Sequence, residues 1–385
     1  MLTEAPVEEK AGSSGGSIRP FTAEDAPIVA SIVLRAFQHT DRTPPQGMVD
    51  YIREVYLQKP WYDPEIASRV FVRPNGRIIG FVGVTPLPMI VDGRRIRTAM
   101  TSSLSVDDRV ADPMIGPRLL RDVRSGPHEA VLSDRSNEIA VSLSKSLKSH
   151  VFRDYSLDWF KVLRPGALAV DRIAERFGPF RLLQPLARPL DDRLLKRGAA
   201  SPEPRWGVPF QMRGAHLYRD EAIGIEQVLD LLPRFLDAYP MRPDLSRESW
   251  RSIIVDSSRR SLVGAFHSRL VLNRDNEPVG LFLYNGRAGR IAEIVQILAV
   301  PGREGAVIDR ALAHAVGIGA VAIRGRAQPA LLDALIERRV AFGADLYTVV
   351  YSRDADVLRH FRQGTAFYTG IAGEHWMRIN GDAFE

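Results

Sequence analysis

The run RVFVRPNGRIIGFVGVTPLPMIVDGRRIRTAMTSSLSV, residues 69–106, holds two dipeptides, Asn75-Gly76 and Asp92-Gly93, each set between alternating β-branched residues. Short turns that match the twist of paired strands need positive φ, which Asn, Asp and Gly adopt at little steric cost. The run therefore predicts a three-stranded antiparallel meander that ends in the strand MTSSLSV. Directly after it, DPMIGPRLLRDV (112–123) carries the chain through a loop with a single glycine into a helix. Upstream, SIRPF (17–21) reads as a short strand, and Thr22 with Asp25 forms a capping box that opens an amphipathic helix through Phe37. Downstream come the strand EAVLSD (129–134), a helix from about Ser136 to Ser149 and a strand RDYSLDWFKVL (153–163). Helices that alternate with strands around a meander predict an α/β, α+β-layered domain: a mixed, mainly antiparallel sheet flanked by helices.

The second half repeats this order. A helix is expected over 221–239, a turn-linked meander in SRLVLNRDNEPVGLFLYN and RIAEIVQILAV, and a helix in PGREGAVIDRALAHAVG. The strand AVAIRGRA, the helix PALLDALIERRVAF and the strand ADLYTVVYS follow. Asn276 and Val300 stand about 200 residues after Asn75 and Val106, so the chain reads as two copies of one pattern, with little residue identity between them. The expected organisation is a disordered Gly/Ser-rich tail over 1–16, an N-terminal domain over 17–164, an Arg/Pro-rich connection over 165–215 and a C-terminal domain over 216–385.

Composition narrows the chemistry. Of 385 residues none is Cys, which removes disulfides, thiolate nucleophiles and Cys-based metal sites, and the eight His are scattered without ligand spacing; no metal is expected. A formal charge of +6 from 52 basic and 46 acidic residues describes a mixed surface, compatible with an anionic ligand and no argument for nucleic acid. No run of about 18 apolar residues is present and the first ten residues are acidic rather than basic-then-apolar, so no transmembrane segment and a cytoplasmic location are expected. No strand-to-helix G-x-S-x-G elbow occurs, which argues against a Ser/His/Asp hydrolase.

The order strand, helix, meander, helix, strand, helix, strand resembles the GNAT superfamily of acyl-CoA N-acyltransferases, over about 17–164 and, more divergently, 221–376. In that family the loop after the fourth strand has the form Arg/Gln-x-x-Gly-x-Gly/Ala and holds the coenzyme A pyrophosphate on backbone N–H groups at a helix N-terminus. Aligned on Gly116, this chain has Ala111 and Met114 at the other two positions. The resemblance implies an acyl-CoA site, acetyl-CoA or another acyl-CoA as donor, formed by Leu104, Ser105, Val106, Met114, Ile115, Gly116, Pro117 and Arg118. Gly305 is the matching glycine of the second copy. Asn137, Ala140 and Leu143 fit the family's fourth helix, whereas Ser144 or Leu147 stands where a tyrosine commonly protonates the leaving thiolate.

Acyl transfer to an amine needs a base for the amine, donors for the developing oxyanion and a proton source for the thiolate. The resemblance places the donors near Leu104 to Val106. Ser102, within Thr101-Ser102-Ser103, can order a water; Asp134 is the nearest carboxylate by topology, with a helix cap as its alternative role; and Asn137 is a ligand contact or a cap. Glu293 is the second copy's candidate base, otherwise an exposed partner for Arg290. Three readings follow, in this order: an acyltransferase that acts on an amine of a small-molecule or peptide acceptor with one working site in the N-terminal copy; a non-catalytic ligand- or partner-binding tandem fold; and an aminoacyl-tRNA-dependent transferase, suggested by the nine basic residues of 161–200. That basic, Pro-interrupted segment is expected to pack between domains rather than on a membrane.

Overall fold

The computed structural model describes residues 15–107, 109, 112–176, 191, 217–260, 262–379 and 384. The tail and most of the Arg/Pro-rich connection, including its expected packing, lie outside these residues.

The first half opens with β1 (Ser17–Pro20), α1 (Ala26–Gln38) and α2 (Gln46–Arg53). The Asp25 carboxylate accepts the Thr22 backbone N–H at 2.9 Å, so the capping box forms where the sequence places it. The meander follows as β2 (Arg69–Val72), β3 (Ile78–Pro86), β4 (Met89–Val91), β5 (Arg94–Ile96) and β6 (Thr98–Val106). Asp92 and Gly93 both have positive φ, 48° and 81°, as the tight turn between β4 and β5 requires. Next are α3 (Ile115–Arg124), β7 (Ala130–Ser136), α4 (Glu138–Ser146), β8 (His150–Phe152), β9 (Asp158–Val162) and α5 (Pro165–Arg176).

The second half begins with β10 (Arg219–Ala222), α6 (Ile225–Leu236), β11 (Met241–Pro243) and α7 (Arg247–Ser258). Its meander is β12 (Ala265–Leu272), β13 (Pro278–Gly286) and β14 (Ile291–Ala299). Then come α8 (Glu304–Gly317), β15 (Ala322–Arg326), α9 (Leu332–Glu337), β16 (Ala341–Gly343), β17 (Tyr347–Ser352) and α10 (Ala355–Gln363). Glu221 and Ala222, expected at the start of a helix, instead end the edge strand β10, which pairs with β12.

Two seven-stranded sheets result, ordered β1-β2-β3-β6-β7-β17-β8 and β10-β12-β13-β14-β15-β9-β16. Each is antiparallel except for one parallel pair, β6 with β7 and β14 with β15. The orders carry an exchange: β17, from the end of the chain, lies between β7 and β8 in the first sheet, and β9, from the first half, lies between β15 and β16 in the second. The division at residue 164 is thus a division of the chain and not of space. Of the expected strand over 153–163 only Asp158–Val162 forms, as β9, and the short strand β8 that precedes it serves the other sheet. The hairpin β4-β5 leaves the first sheet and pairs with β11 of the second half.

Hydrophobic burial follows this interleaving. The largest apolar cluster joins Phe81, Met100 and Leu132 of the first sheet to Leu281, Leu283 and Val295 of the second and to Phe235 of α6. Smaller clusters lie on the outer faces, one under α3 with Ile79, Val82 and Leu119, the other under α8 with Phe282, Ile297 and Ile308. Each sheet is therefore covered on both sides, and both halves share the interior.

Candidate active site

The parallel ladder of β6 and β7 runs only over Thr98–Met100 and Ala130–Leu132. Beyond it the two strands part. The cause lies in β6, whose pairing with β3 slips between Phe81 and Gly83 so that one extra residue bulges near Ser103. Ser103 has φ 50°, a left-handed value that bends the strand and turns its backbone out of the ladder. The opening leads into a cavity of about 400 Å³. Its walls are Thr101–Leu104 of β6, Ser133 and Arg135 of β7, the inner faces of α3 and α4, and Phe37 and Ile379 on the opposite side of the sheet.

Glu374 also lines this cavity, and it comes from the other end of the chain. Its Oε1 accepts the backbone N–H groups of Asp134 (2.9 Å) and Arg135 (3.2 Å) and the hydroxyl of Ser133 (3.2 Å). The two backbone donors belong to the part of β7 beyond its ladder with β6. Burial, reinforced by the negative charge of Asp134, pushes the Glu374 carboxyl up to about 7. A carboxylate poised there takes a proton from an amine at neutral pH.

The second copy has the same geometry and a different outcome. The pairing of β13 with β14 slips between Leu283 and Tyr284, and β14 and β15 part beyond Glu293 and Arg324. Here the gap is filled by the chain itself. Gly370, at φ 62°, lies so close that a Cβ would be 2.2 Å from the Gln296 side-chain oxygen, and that oxygen accepts the Ile371 N–H at 3.1 Å. Only about 10 Å³ remains. Over the start of α8 the surface hollow is lined by Glu304, Asp333 and Glu337, and its Arg310 is committed to Asp220. One short segment, 369–374, thus fills the second cleft and delivers a carboxylate to the first.

Solved structures of similar architecture include a probable N-acyltransferase, a conserved protein of unknown function from Enterococcus faecalis V583 (10% identity, 88% of this chain and 72% of that one, TM-score 0.55). Two others are GCN5-related N-acetyltransferases, from Anabaena variabilis ATCC 29413 (10% identity, 88% and 73% covered, TM-score 0.56) and from Kribbella flavida (12%, 90% and 73%, TM-score 0.51). The fold is that of the GCN5-related N-acetyltransferases. The chain forms two units of this GNAT fold with exchanged strands. No family model and no curated protein matches the sequence.

Within the GNAT frame the predicted residues separate. Ser102, Leu104 and Asn137 line the cavity. Asn137 also caps α4, its side-chain oxygen accepting the Ala140 N–H at 2.9 Å, as one of its two expected roles requires. Asp134 is outside the lining: its carboxylate faces Arg326 of β15 at 3.6 Å and accepts the Glu374 N–H at 3.3 Å. The nearest carboxylate by topology is therefore a partner across the two copies, and the cavity's carboxylate is Glu374.

Ser105 and Val106 stay in the ladder opposite Phe81 and Gly80. Ile115 and Pro117 are buried, Met114 is half-exposed, and Gly116 lies against Leu143 of α4. Arg118 donates to the Gly16 carbonyl at 3.0 Å and lies over the Phe71 ring, away from the start of α3. The Met114 N–H donates to Asp112 at 2.9 Å, which puts a carboxylate at the helix start. The residues thus fit the reactive end of an acyl-CoA, between the splayed strands, better than its pyrophosphate.

In the second copy Gly305 makes room for the Arg338 guanidinium, 2.5 Å from where a Cβ would stand. Glu293 is not an exposed partner of Arg290: it is buried, within 3.6 Å of His375 and 3.4 Å of Arg260 and Arg324. Burial opposes its ionisation, but the surrounding cations outweigh that and hold it well below the usual carboxylate range. His375, whose burial pushes it down to about 3, is neutral, and its ring nitrogen bonds Arg135 of the cavity wall at 3.2 Å. Glu374 and Arg135 were missed in the sequence because strand-helix order says nothing of where a terminal segment goes. The available signal was a lone acid in the apolar run TGIAGEHWM (369–377). Among the described residues no group of three acids or histidines is placed to hold a metal.

Proposed function

We propose that the protein is an acyl-CoA-dependent N-acyltransferase with one working site per chain, in the first GNAT unit, and Glu374 as its general base. The observation that carries this reading is the buried Glu374 carboxylate set in the gap between β6 and β7, in the unit whose cleft is open. The neighbouring structures described as N-acetyltransferases and a probable N-acyltransferase support the reaction class. An amine that enters past Phe37 and Ile379 gives its proton to Glu374 and attacks the thioester carbonyl. The backbone around the Ser103 bulge meets the developing oxyanion, and the thiolate leaves within the gap beside that bulge.

The donor is acetyl-CoA or another acyl-CoA, and the acceptor an amine of a small molecule or peptide. The test is to titrate acetyl-CoA while following thermal unfolding. At ~100 times its dissociation constant it is expected to stabilise the protein by about 2.7 kcal/mol, and release of free thiol with an amine panel reads the turnover. An unchanged Tm together with no thiol release would remove the reading and favour a non-catalytic binding fold.

A further inference from the structure

The GNAT resemblance leaves one function unfilled, because Ser144 or Leu147 stands where the fourth helix usually carries a tyrosine. A different tyrosine reaches β6, the wall of that gap, from the opposite side of the sheet. Tyr56 lies in a π-helical turn, Glu54–Gln58, that continues α2, and its ring is packed edge-on against Phe81 and Phe21. A π-turn widens a helix by one residue and shifts where its side chains emerge.

The hydroxyl is brought to the β6 bulge, 3.0 Å from the Ser102 oxygen and 3.2 Å from that of Ser103. Glycine at position 83 makes the approach possible, since a Cβ there would lie 2.3 Å from the Tyr56 oxygen. Three separate departures from regular structure, the π-turn, Gly83 and the left-handed Ser103, converge on this hydroxyl cluster. Both serines face the cavity.

Either oxygen of the Tyr56–Ser102 pair can donate, and one arrangement of protons makes both Tyr56 bonds at once. Tyr56 has a single proton, and it donates to Ser103. Ser102 therefore donates its proton to the Tyr56 oxygen. Ser103, its oxygen already accepting, has its own O–H left to donate elsewhere, at the edge of the gap. Burial pushes the phenol up to about 12, so Tyr56 remains a donor at any working pH.

We propose that Tyr56 is a positioning residue that aims the Ser103 hydroxyl at the departing sulfur of the acyl-CoA. The inference rests on the acyltransferase reading. The new C–N bond forms as the C–S bond breaks, and the sulfur leaves as a thiolate hydrogen-bonded by Ser103. The amine proton passes to Glu374, then to water, and returns to the thiolate as the free thiol. No net proton leaves Tyr56.

The test compares the wild type with Tyr56→Phe, which keeps the ring and its packing, and with Ser103→Ala. Each is measured with acetyl-CoA and with an activated aryl thioester whose thiolate is far less basic. Both variants are expected to lose about 10- to 100-fold in kcat with acetyl-CoA, with KM little changed, the range for one hydrogen bond to a charged group. The loss should shrink severalfold with the aryl thioester, a difference that a merely structural role would not produce. The double variant should be no worse than either single one, because both remove the same bond. Variants as fast as wild type, or equal losses with both thioesters, overturn the inference and leave the acyltransferase reading intact. A wild type that neither binds nor consumes acetyl-CoA overturns both.

Discussion

Glu374 owes its character to three backbone and side-chain donors and to burial beside Asp134, and the two influences act in opposite directions on its proton. Burial wins, so the folded-state value of about 7 lies above the ordinary 4.5. The folded protein therefore holds a proton there that the unfolded chain has released. Its contribution to stability is fully present below about 4.5 and is lost as pH rises through about 7. Activity is expected to move the other way, with kcat/KM rising over the same interval as the base form appears. Glu374→Gln should remove this limb and lower kcat/KM by ~10²- to 10⁴-fold across the pH range, read as a pH–rate profile for each protein. A limb that persists in the variant would assign the base elsewhere. Asp134, which the order of elements had offered for this role, differs by direction alone. Adjacent residues of a strand point to opposite faces, and its face turns to Arg326.

At the scale of elements, the exchanged strands depend on polar clamps as well as on ladders. Arg326 of β15 donates to the Asp134 carbonyl at 2.7 Å and to the Ser156 and Leu346 carbonyls, each at 3.0 Å, so one buried guanidinium joins β7, the turn before β9 and the entry to β17. Arg326→Leu leaves the Asp134 carboxylate buried without its cation, and is expected to cost about 3–5 kcal/mol in denaturant unfolding. The double variant Arg326→Leu, Asp134→Leu should recover part of that loss, because no unpaired charge remains. A loss equal in single and double variants would show that the carbonyl contacts dominate. Much at this scale was legible beforehand. The Asp92-Gly93 turn, the Thr22/Asp25 box and the alternation of strands and helices formed, because each rests on φ preferences or capping within a few residues, and the Asn75-Gly76 turn formed with Pro74 as a third residue and Gly76 alone at positive φ. The partner sheets of β9 and β17 were not legible, since either apolar strand satisfies the alternation of either sheet.

At the scale of the whole molecule, a cluster built from both halves and two strands placed in each other's sheets make separation costly. Proteolytic nicking between residues 198 and 199, inside the connection, is expected to leave two fragments that elute together and unfold in one transition, while either half expressed alone aggregates with its cluster exposed. Two independently soluble, cooperatively folded halves would contradict this. The amino-acid sequence alone determined most of the secondary structure, the repeated order and the GNAT resemblance, since hydrophobic period and turn chemistry act over short distances. Only the tertiary structure decided which cleft stays open and which carboxylate enters it. Those outcomes depend on where residues 369–374 pass between the two sheets, through contacts 240 and 75 residues apart in the chain, and no local preference encodes contacts at such separations.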